Sequence, residues 1–252
     1  MNMDIVRISA VSYLNSAPFV YGLRHRLDPA LFHLDLDIPS VCAQKLLDGT
    51  VDLGLIPVAV IPLLGEKHIV SEYCIGAVGK VRSVMLYGDV PVQRMEKILL
   101  DNQSRTSVML TRVLAQHYWN INPEWVAAKE GFEKEIGGTS GGVVIGDRTF
   151  ALENKFRYAY DLAEEWEKFT GLPFVFACWV ANKVLPPSFM GLFNDALRYG
   201  LEKRDSVMQE IKRPPASREV IVDYLHNSIN YDLDEAKMQA MKKFLELIKT
   251  VS

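Results

Sequence analysis

The stretch PFVFACWVA, residues 173–181, decides how the rest of the chain is read. It holds no charge and no polar alternation, so it does not fit a strand with one solvated face. An unbroken apolar run of this kind suits a strand buried on both sides. Helical patterns surround it. Tyr160 to Phe169, acidic and amphipathic and closed by Gly171, comes before; roughly Ser188 to Arg204, Ser217 to Leu225 and Leu233 to Ile248 come after. In the last of these, Ala236, Met238, Ala240, Met241, Phe244, Leu245 and Ile248 mark the apolar face. A buried strand placed this late, among helices, suits a segment passing between two lobes.

The first half alternates strands with helices. Ile5 to Ala10, Leu34 to Ile38, Val51 to Ile56, Ile69 to Tyr73 and Arg82 to Tyr87 are strand candidates. A polar turn, Ser12 to Pro18, follows the first. Pro39-Ser40 opens a helix with Ser40 as the expected N-cap and Gly49 beyond its end. This alternation predicts a mainly parallel sheet with flanking helices. Past the turn Gly88 to Pro91 and a short strand, Ile98 to Leu100, the run DNQSRTS (101–107) is dense in capping residues. It leads into Val108, Leu110, Val113, Leu114 and Tyr118, spaced for one buried helical face. The Gly-rich stretch Lys129 to Gly142 then precedes a strand, Val143 to Ile145. The expected architecture is α/β: a discontinuous lobe I, residues 1–88 and 180–252, with lobe II, residues 89–179, inserted. It resembles the type II periplasmic-binding-protein fold, in which a small anionic ligand lies in the cleft between the lobes.

Composition narrows the function. The chain has 252 residues, 49% hydrophobic and 23% charged, with a net charge of −3, which excludes disordered, collagenous and disulfide-stapled classes. The near balance of 28 basic and 31 acidic residues argues against nucleic acid as a partner. No tract is apolar enough to span a bilayer. The N-terminal stretch lacks a basic n-region and an apolar h-region, so a cytoplasmic location is expected. Cys42, Cys74 and Cys178 are too scattered for a disulfide framework or a zinc site, and the five histidines lack ligand spacing. No metal or cofactor is expected. Gly138-Thr139-Ser140-Gly141-Gly142 matches G-x-S-x-G, but the strand follows the serine instead of preceding it, so a turn explains it better than a nucleophile elbow. Gly79-Lys80 lacks the rest of a P-loop.

Several strand-end segments can meet a ligand, because ligands in open α/β sheets bind beyond the carboxyl ends of strands. Ser12, Tyr13, Asn15 and Ser16 follow the first strand; Asn15 offers a donor and an acceptor, and Asn15 or Ser16 equally suits a helix cap. Ser104, Arg105, Thr106 and Ser107 open a helix, where free amides and the macrodipole favour carboxylates, although capping accounts for one or two of them. Gly146 permits close approach of a ligand, while Asp147 accepts from a hydroxyl or caps a helix. Ser83 lies on an expected crossing strand. Ile56 and Pro57 lie near the cleft floor, where packing is the simpler role. No His, Cys or Lys stands out as a base or nucleophile, so an enzyme built this way relies on orientation and electrostatics.

The stretches VSYLNSAPFVYGL (11–23), PSVCAQKLLDGTVDLGLIPVAVI (39–61), SEYCIGAVGKVRSVMLY (71–87), DNQSRTSVMLTRVL (101–114), VVIGDRTF (143–150) and YDLAEEWEKFTGLPFVFACWVANK (160–183) together resemble the chorismate dehydratase family of the futalosine route to menaquinone. The C-terminal helices match in general character alone. The resemblance implies the two-lobed fold, chorismate as small-molecule partner, and elimination of water to give 3-[(1-carboxyvinyl)oxy]benzoate. On this reading Asn15 and Ser83 are the catalytic pair, orienting the enolpyruvyl group and ring hydroxyl. The proton acceptor is the substrate's own enolpyruvyl carboxylate, an ordered water or Asp147. The sequence leaves a homo-oligomer open. Two rivals are 1,4-dihydroxy-6-naphthoate synthase of the same pathway and a non-catalytic small-anion binding protein. The first begins with a C-P-N-D-type loop where this chain has Tyr13-Leu14-Asn15-Ser16; the second lacks an export signal here.

Overall fold

The computed structural model describes residues 5–211 and 213–251. Strands β1 (Val6–Val11), β2 (Phe32–Asp37) and β3 (Leu53–Pro57) run parallel with β1 in the middle, and β4 (His68–Ala77) follows. The chain then enters a second sheet of β5 (Val84–Gly88), β6 (Lys97–Leu100), β7 (Glu124–Ala127), β8 (Ser140–Ile145) and β9 (Tyr158–Asp161), in spatial order β7-β6-β8-β5-β9. It returns as β10 (Phe174–Ala181) and ends its strands with β11 (Asn230–Asp232), completing a first sheet ordered β11-β4-β10-β3-β1-β2. The helices are α1 (Ala17–Arg26), α2 (Pro39–Leu47), α3 (Arg105–Leu114), α4 (Leu162–Thr170), α5 (Pro187–Glu202), α6 (Arg204–Val207), α7 (Arg218–Asp223) and α8 (Glu235–Leu247).

The run that reads as doubly buried is β10, and all its residues are buried. It lies between β3 and β4 and is antiparallel to both, with Cys178 opposite Ile56 on one side and Cys74 on the other. The expectation of a mainly parallel sheet is therefore corrected to two mixed sheets. The cause is geometric. The chain leaves the first sheet past Ala77 and re-enters at Phe174, which pairs with Ala77, so the returning strand must run the opposite way. Strand pairing also divides the chain differently from residues 1–88 with 180–252 against 89–179: β5 lies in the second sheet and β10 wholly in the first.

Three local readings shift. Helix α2 starts at Pro39 with Ile38 as N-cap, because proline suits a first position that needs no N–H; Ser40 falls inside the first turn. Tyr160 belongs to β9, and α4 starts behind Asp161, whose carboxylate accepts from the amides of Ala163 and Glu164. In α8 the buried face is Lys237, Ala240 and Phe244, whereas Met238 is exposed; the lysine stem is covered and Nζ reaches Asp234 at 2.8 Å.

Aromatic contacts fix β10 to helices of both lobes. Phe174 meets Trp166 of α4 at 5.3 Å and Phe244 of α8 at 5.1 Å, both edge-on. Trp179 meets Phe193 of α5 at 5.1 Å and Phe19 of α1 at 5.9 Å. Helices α1 and α5 touch backbone to backbone: a Cβ on Gly22 would sit 1.9 Å from the Ala196 oxygen, and one on Gly200 1.9 Å from the Pro18 oxygen. At the other end of the sheet, buried Asp52 takes Arg7 Nη2 at 2.8 Å and Lys183 Nζ at 2.9 Å, tying the start of β1 to the end of β10.

Two outcomes follow. Gly22→Ala or Gly200→Ala forces these helices apart and costs about 3 kcal/mol or more, measured by denaturant unfolding. Burial pushes the Asp52 carboxyl up, but hydrogen bonds from Arg7 and Lys183 outweigh it and hold it below the ordinary range. The stabilisation from Asp52 is thus present above the unfolded carboxylate pKa of about 3.9 and lost as pH falls through the lower folded value. In unfolding titrations, the stability deficit of Asp52→Asn shrinks as pH drops below that range.

Candidate active site

Where the two sheets meet, a cavity encloses about 480 Å³ of atom-free space, part of it open to solvent. Its polar lining is Tyr13 and Asn15 from the turn after β1, Ser83 from the β4–β5 crossing, and Ser104 and Ser107 from the start of α3. Ile75, Val81 and Phe176 supply apolar wall, so the strand that decides the fold also shapes the cavity.

The turn after β1 is a single 3-10 turn, Leu14–Ser16, leading into α1. The Ser16 hydroxyl donates to the carbonyls of Val11 and Tyr13, which holds the turn from inside and leaves no ligand-facing role for it. Nor does it cap α1 through its side chain. Asn15 is left to the cavity: its Oδ1 is buried and has no hydrogen-bond partner, which is costly unless a ligand supplies a donor.

Ser83 is buried and held by three neighbours. Its Oγ accepts from Tyr224 Oη at 2.7 Å, its carbonyl accepts from the Gly146 amide at 2.9 Å, and the preceding Arg82 amide donates to Asp161 at 2.6 Å. Arg82 has φ +64°, a left-handed conformation that costs a non-glycine residue about 1–2 kcal/mol. Across the cavity, Ser104 caps α3: its Oγ accepts from the Ser107 amide at 3.1 Å and donates to the Ser107 hydroxyl at 2.8 Å. The first turn of α3 contains no acidic residue, so its amides and dipole favour an anion there.

Of the other residues singled out from sequence, Pro57 and Gly146 line the cavity and the rest lie outside its lining. Ser12 is exposed at the rim, and Ile56 is fully buried in β3, while Pro57 next to it does line the cavity. Arg105 turns outward to Gln44 at 3.0 Å. Thr106 accepts from the Ala59 amide at 3.2 Å, and Asp147 accepts from the Leu14 amide at 3.0 Å. Tyr13 donates to Gln103, whose carbonyl accepts from the Ser40 amide at 3.2 Å. These bonds all run from one lobe to the other, so the cleft is closed. Gly146 (φ +69°) does permit a close approach, but the approaching group is the Tyr13 ring: a Cβ would sit 2.9 Å from it.

Among the described residues no lysine, arginine or histidine lines the cavity. Arg148 pairs with Asp101 and Glu133, and Arg82 with Asp223. Asp147 is the nearest carboxylate in sequence to the lining; burial raises its pKa and the Leu14 amide opposes that rise. The three cysteines are free and buried, and burial pushes the Cys42 and Cys178 thiols up to about 12, which removes them as nucleophiles. Sequence reading did not find Tyr224, Gln103 or Phe176. Nothing in the spacing of 217–225 separates a tyrosine that touches Ser83 from one that packs in a core.

The chain is 26% identical to a chorismate dehydratase of Thermus thermophilus over 94% of its own length and 92% of that protein. Its fold matches a protein from Archaeoglobus fulgidus (TM-score 0.76, 15% identity, 97% of each chain). It also matches a Candida albicans gene product with the generic periplasmic-binding-protein fold (TM-score 0.69, 12% identity, 99% of this chain and 92% of that one). The aliphatic sulphonate binding protein of Escherichia coli shares the fold too (TM-score 0.61, 15% identity, 98% and 92%). These likenesses establish the two-lobed type II architecture. Among the described residues no helix is long and apolar enough to cross a membrane. A family model described as menaquinone biosynthesis matches residues 6–250, nearly the whole chain, and the protein belongs to that family.

Proposed function

We propose that the protein is a chorismate dehydratase, acting in menaquinone biosynthesis. The observation that carries this reading is the makeup of the closed cavity. A helix start with two serines lies on one side, and Asn15, with an unsatisfied buried oxygen, and Ser83 lie on the other. Among the described residues no His, Cys or Lys lines it. The identity to the Thermus thermophilus chorismate dehydratase supports the same reading.

The chemistry needs little more. The C–H bond at the ring carbon bearing the enolpyruvyl ether breaks, and its electron pair forms a new ring double bond. The C–O bond to the neighbouring hydroxyl breaks, and the departing hydroxide takes up the proton that the base removed from carbon, leaving as water. Aromatisation makes the step downhill. The developing carbanion is conjugated with the ring carboxylate, so donors on that carboxylate stabilise the transition state. The free amides at the start of α3 and the Ser107 hydroxyl, which accepts from Ser104 and so keeps its own proton free, are the donors suited to the ring carboxylate. Asn15 Oδ1 is an acceptor for the ring hydroxyl, and Ser83 helps to orient the enolpyruvyl arm. Asp147 accepts from the Leu14 amide and is not among the lining residues, so this reading assigns the base to the enolpyruvyl carboxylate of the substrate itself. The division of residues follows: Asn15 and Ser83 act at the reacting bonds, while Tyr13, Pro57, Ser104 and Ser107 bind.

Incubation with chorismate, followed by ultraviolet absorbance and mass spectrometry, should show loss of one water. Recovery of intact chorismate bound to the protein would instead support a non-catalytic anion-binding role. Asn15→Ala and Ser83→Ala should each lower kcat by roughly 100- to 1,000-fold while leaving the fold intact by circular dichroism. Turnover at the wild-type rate in either variant removes that residue from the mechanism. Ser107→Ala should lower kcat/KM about tenfold, because it removes one donor to the carboxylate that takes up charge in the transition state.

A further inference from the structure

Two tyrosines from one short C-terminal stretch reach the two polar residues proposed for the chemistry. Tyr224 is buried, places its Oη 2.7 Å from Ser83 Oγ, and packs edge-on against Phe150 of the second lobe at 5.1 Å. Tyr231, also buried, donates from Oη to the Asn15 carbonyl at 2.9 Å and meets Phe19 edge-on at 5.3 Å. Between them α7 ends in a wide π-type turn, Tyr224–Ser228, closed by the Ile229 amide on the Tyr224 carbonyl at 3.2 Å. Turns of this type are rare and recur at functional sites. Strand β11 then pairs with β4, which anchors Tyr231 to the sheet edge.

The Tyr224–Ser83 contact has a direction. A phenol is a stronger acid than an alcohol, so it gives the proton and the serine oxygen receives it. Burial raises the Tyr224 pKa, with Ser83 and Asn15 opposing, so the phenol stays protonated. The Ser83 hydroxyl has no other acceptor among the described residues, which leaves its own proton for a ligand in the cavity.

We infer that Tyr224 and Tyr231 are positioning residues: Tyr224 fixes the Ser83 hydroxyl as a donor aimed into the cavity, and Tyr231 fixes the Asn15 turn by its carbonyl. The inference rests on the chorismate dehydratase reading. Substitution by phenylalanine keeps each ring and its aromatic contacts and removes the hydroxyl alone.

Wild type, Tyr224→Phe, Tyr231→Phe, Ser83→Ala and the double variant Ser83→Ala/Tyr224→Phe are compared on chorismate. Tyr224→Phe should lower kcat roughly tenfold to hundredfold, the scale of a misplaced reacting group. Its KM should stay within about threefold of wild type. In the Ser83→Ala background the same change should cost less than about twofold, because the hydroxyl it orients is gone. Tyr231→Phe, acting on the other residue, should lower kcat as well. Wild-type kcat in Tyr224→Phe overturns the inference, and so does an equal loss with and without Ser83, which marks a purely structural tyrosine. If wild type releases no water from chorismate, the functional reading fails and takes this inference with it. An active wild type with an indifferent Tyr224→Phe sinks only the tyrosine assignment.

Discussion

The molecule depends on β10 lying antiparallel between β3 and β4. Without that strand the first sheet would be split in two, with β4 and β11 separated from β3, β1 and β2. Its side chains meet helices on both faces, from α4 and α8 to α1 and α5. Phe176 and Ala177 from the same strand line the cavity. Folding and site formation therefore share one element. A substitution in β10 that weakens the sheet also moves the wall against which a ligand rests.

The cavity holds its charge economy without charged side chains. Arginines close to it in sequence are engaged elsewhere: Arg82 on Asp223, Arg105 on Gln44, Arg148 on Asp101 and Glu133. On the chorismate dehydratase reading, recognition of the substrate's carboxylates falls to amides, hydroxyls and a helix dipole, which need no counter-charge of their own. A buried arginine left unpaired would be a heavier burden on the folded state. The small net charge of −3 is consistent with binding that comes from inside the cleft and not from the surface.

Most of the fold was legible because its signals are local. The uncharged run 173–181, the capping residues before α3 and the glycine after α4 each report on a few neighbouring residues. Strand direction was not legible. Whether β10 runs with or against β3 depends on where the chain re-enters, and no side chain in 173–181 encodes that. The same holds at the site. Asn15, Ser83, Ser104 and Ser107 end short polar segments at strand or helix boundaries, where a ligand-facing reading is natural. Asp147, Thr106 and Arg105 lie in the same segments, yet their partners are backbone and side-chain groups of the opposite lobe. Tyr224 comes from a stretch whose apolar spacing looks like any helix of the core. Its role appears only when residues 141 apart in sequence are brought to hydrogen-bond distance.

The bonds from Tyr13, Leu14, Ser40, Gln44 and Ala59 to the opposite lobe have a kinetic consequence. Each contributes about 1 kcal/mol net, so parting the lobes costs several times that. The resting population is then mostly shut, and molecules arriving by diffusion meet an entrance that is open for only a fraction of the time. Uptake and release are slowed by the same factor. In exchange, a ligand between the shut lobes is shielded from much of the bulk water, which on the chorismate dehydratase reading protects a reactive enol ether during the step that makes its ring aromatic.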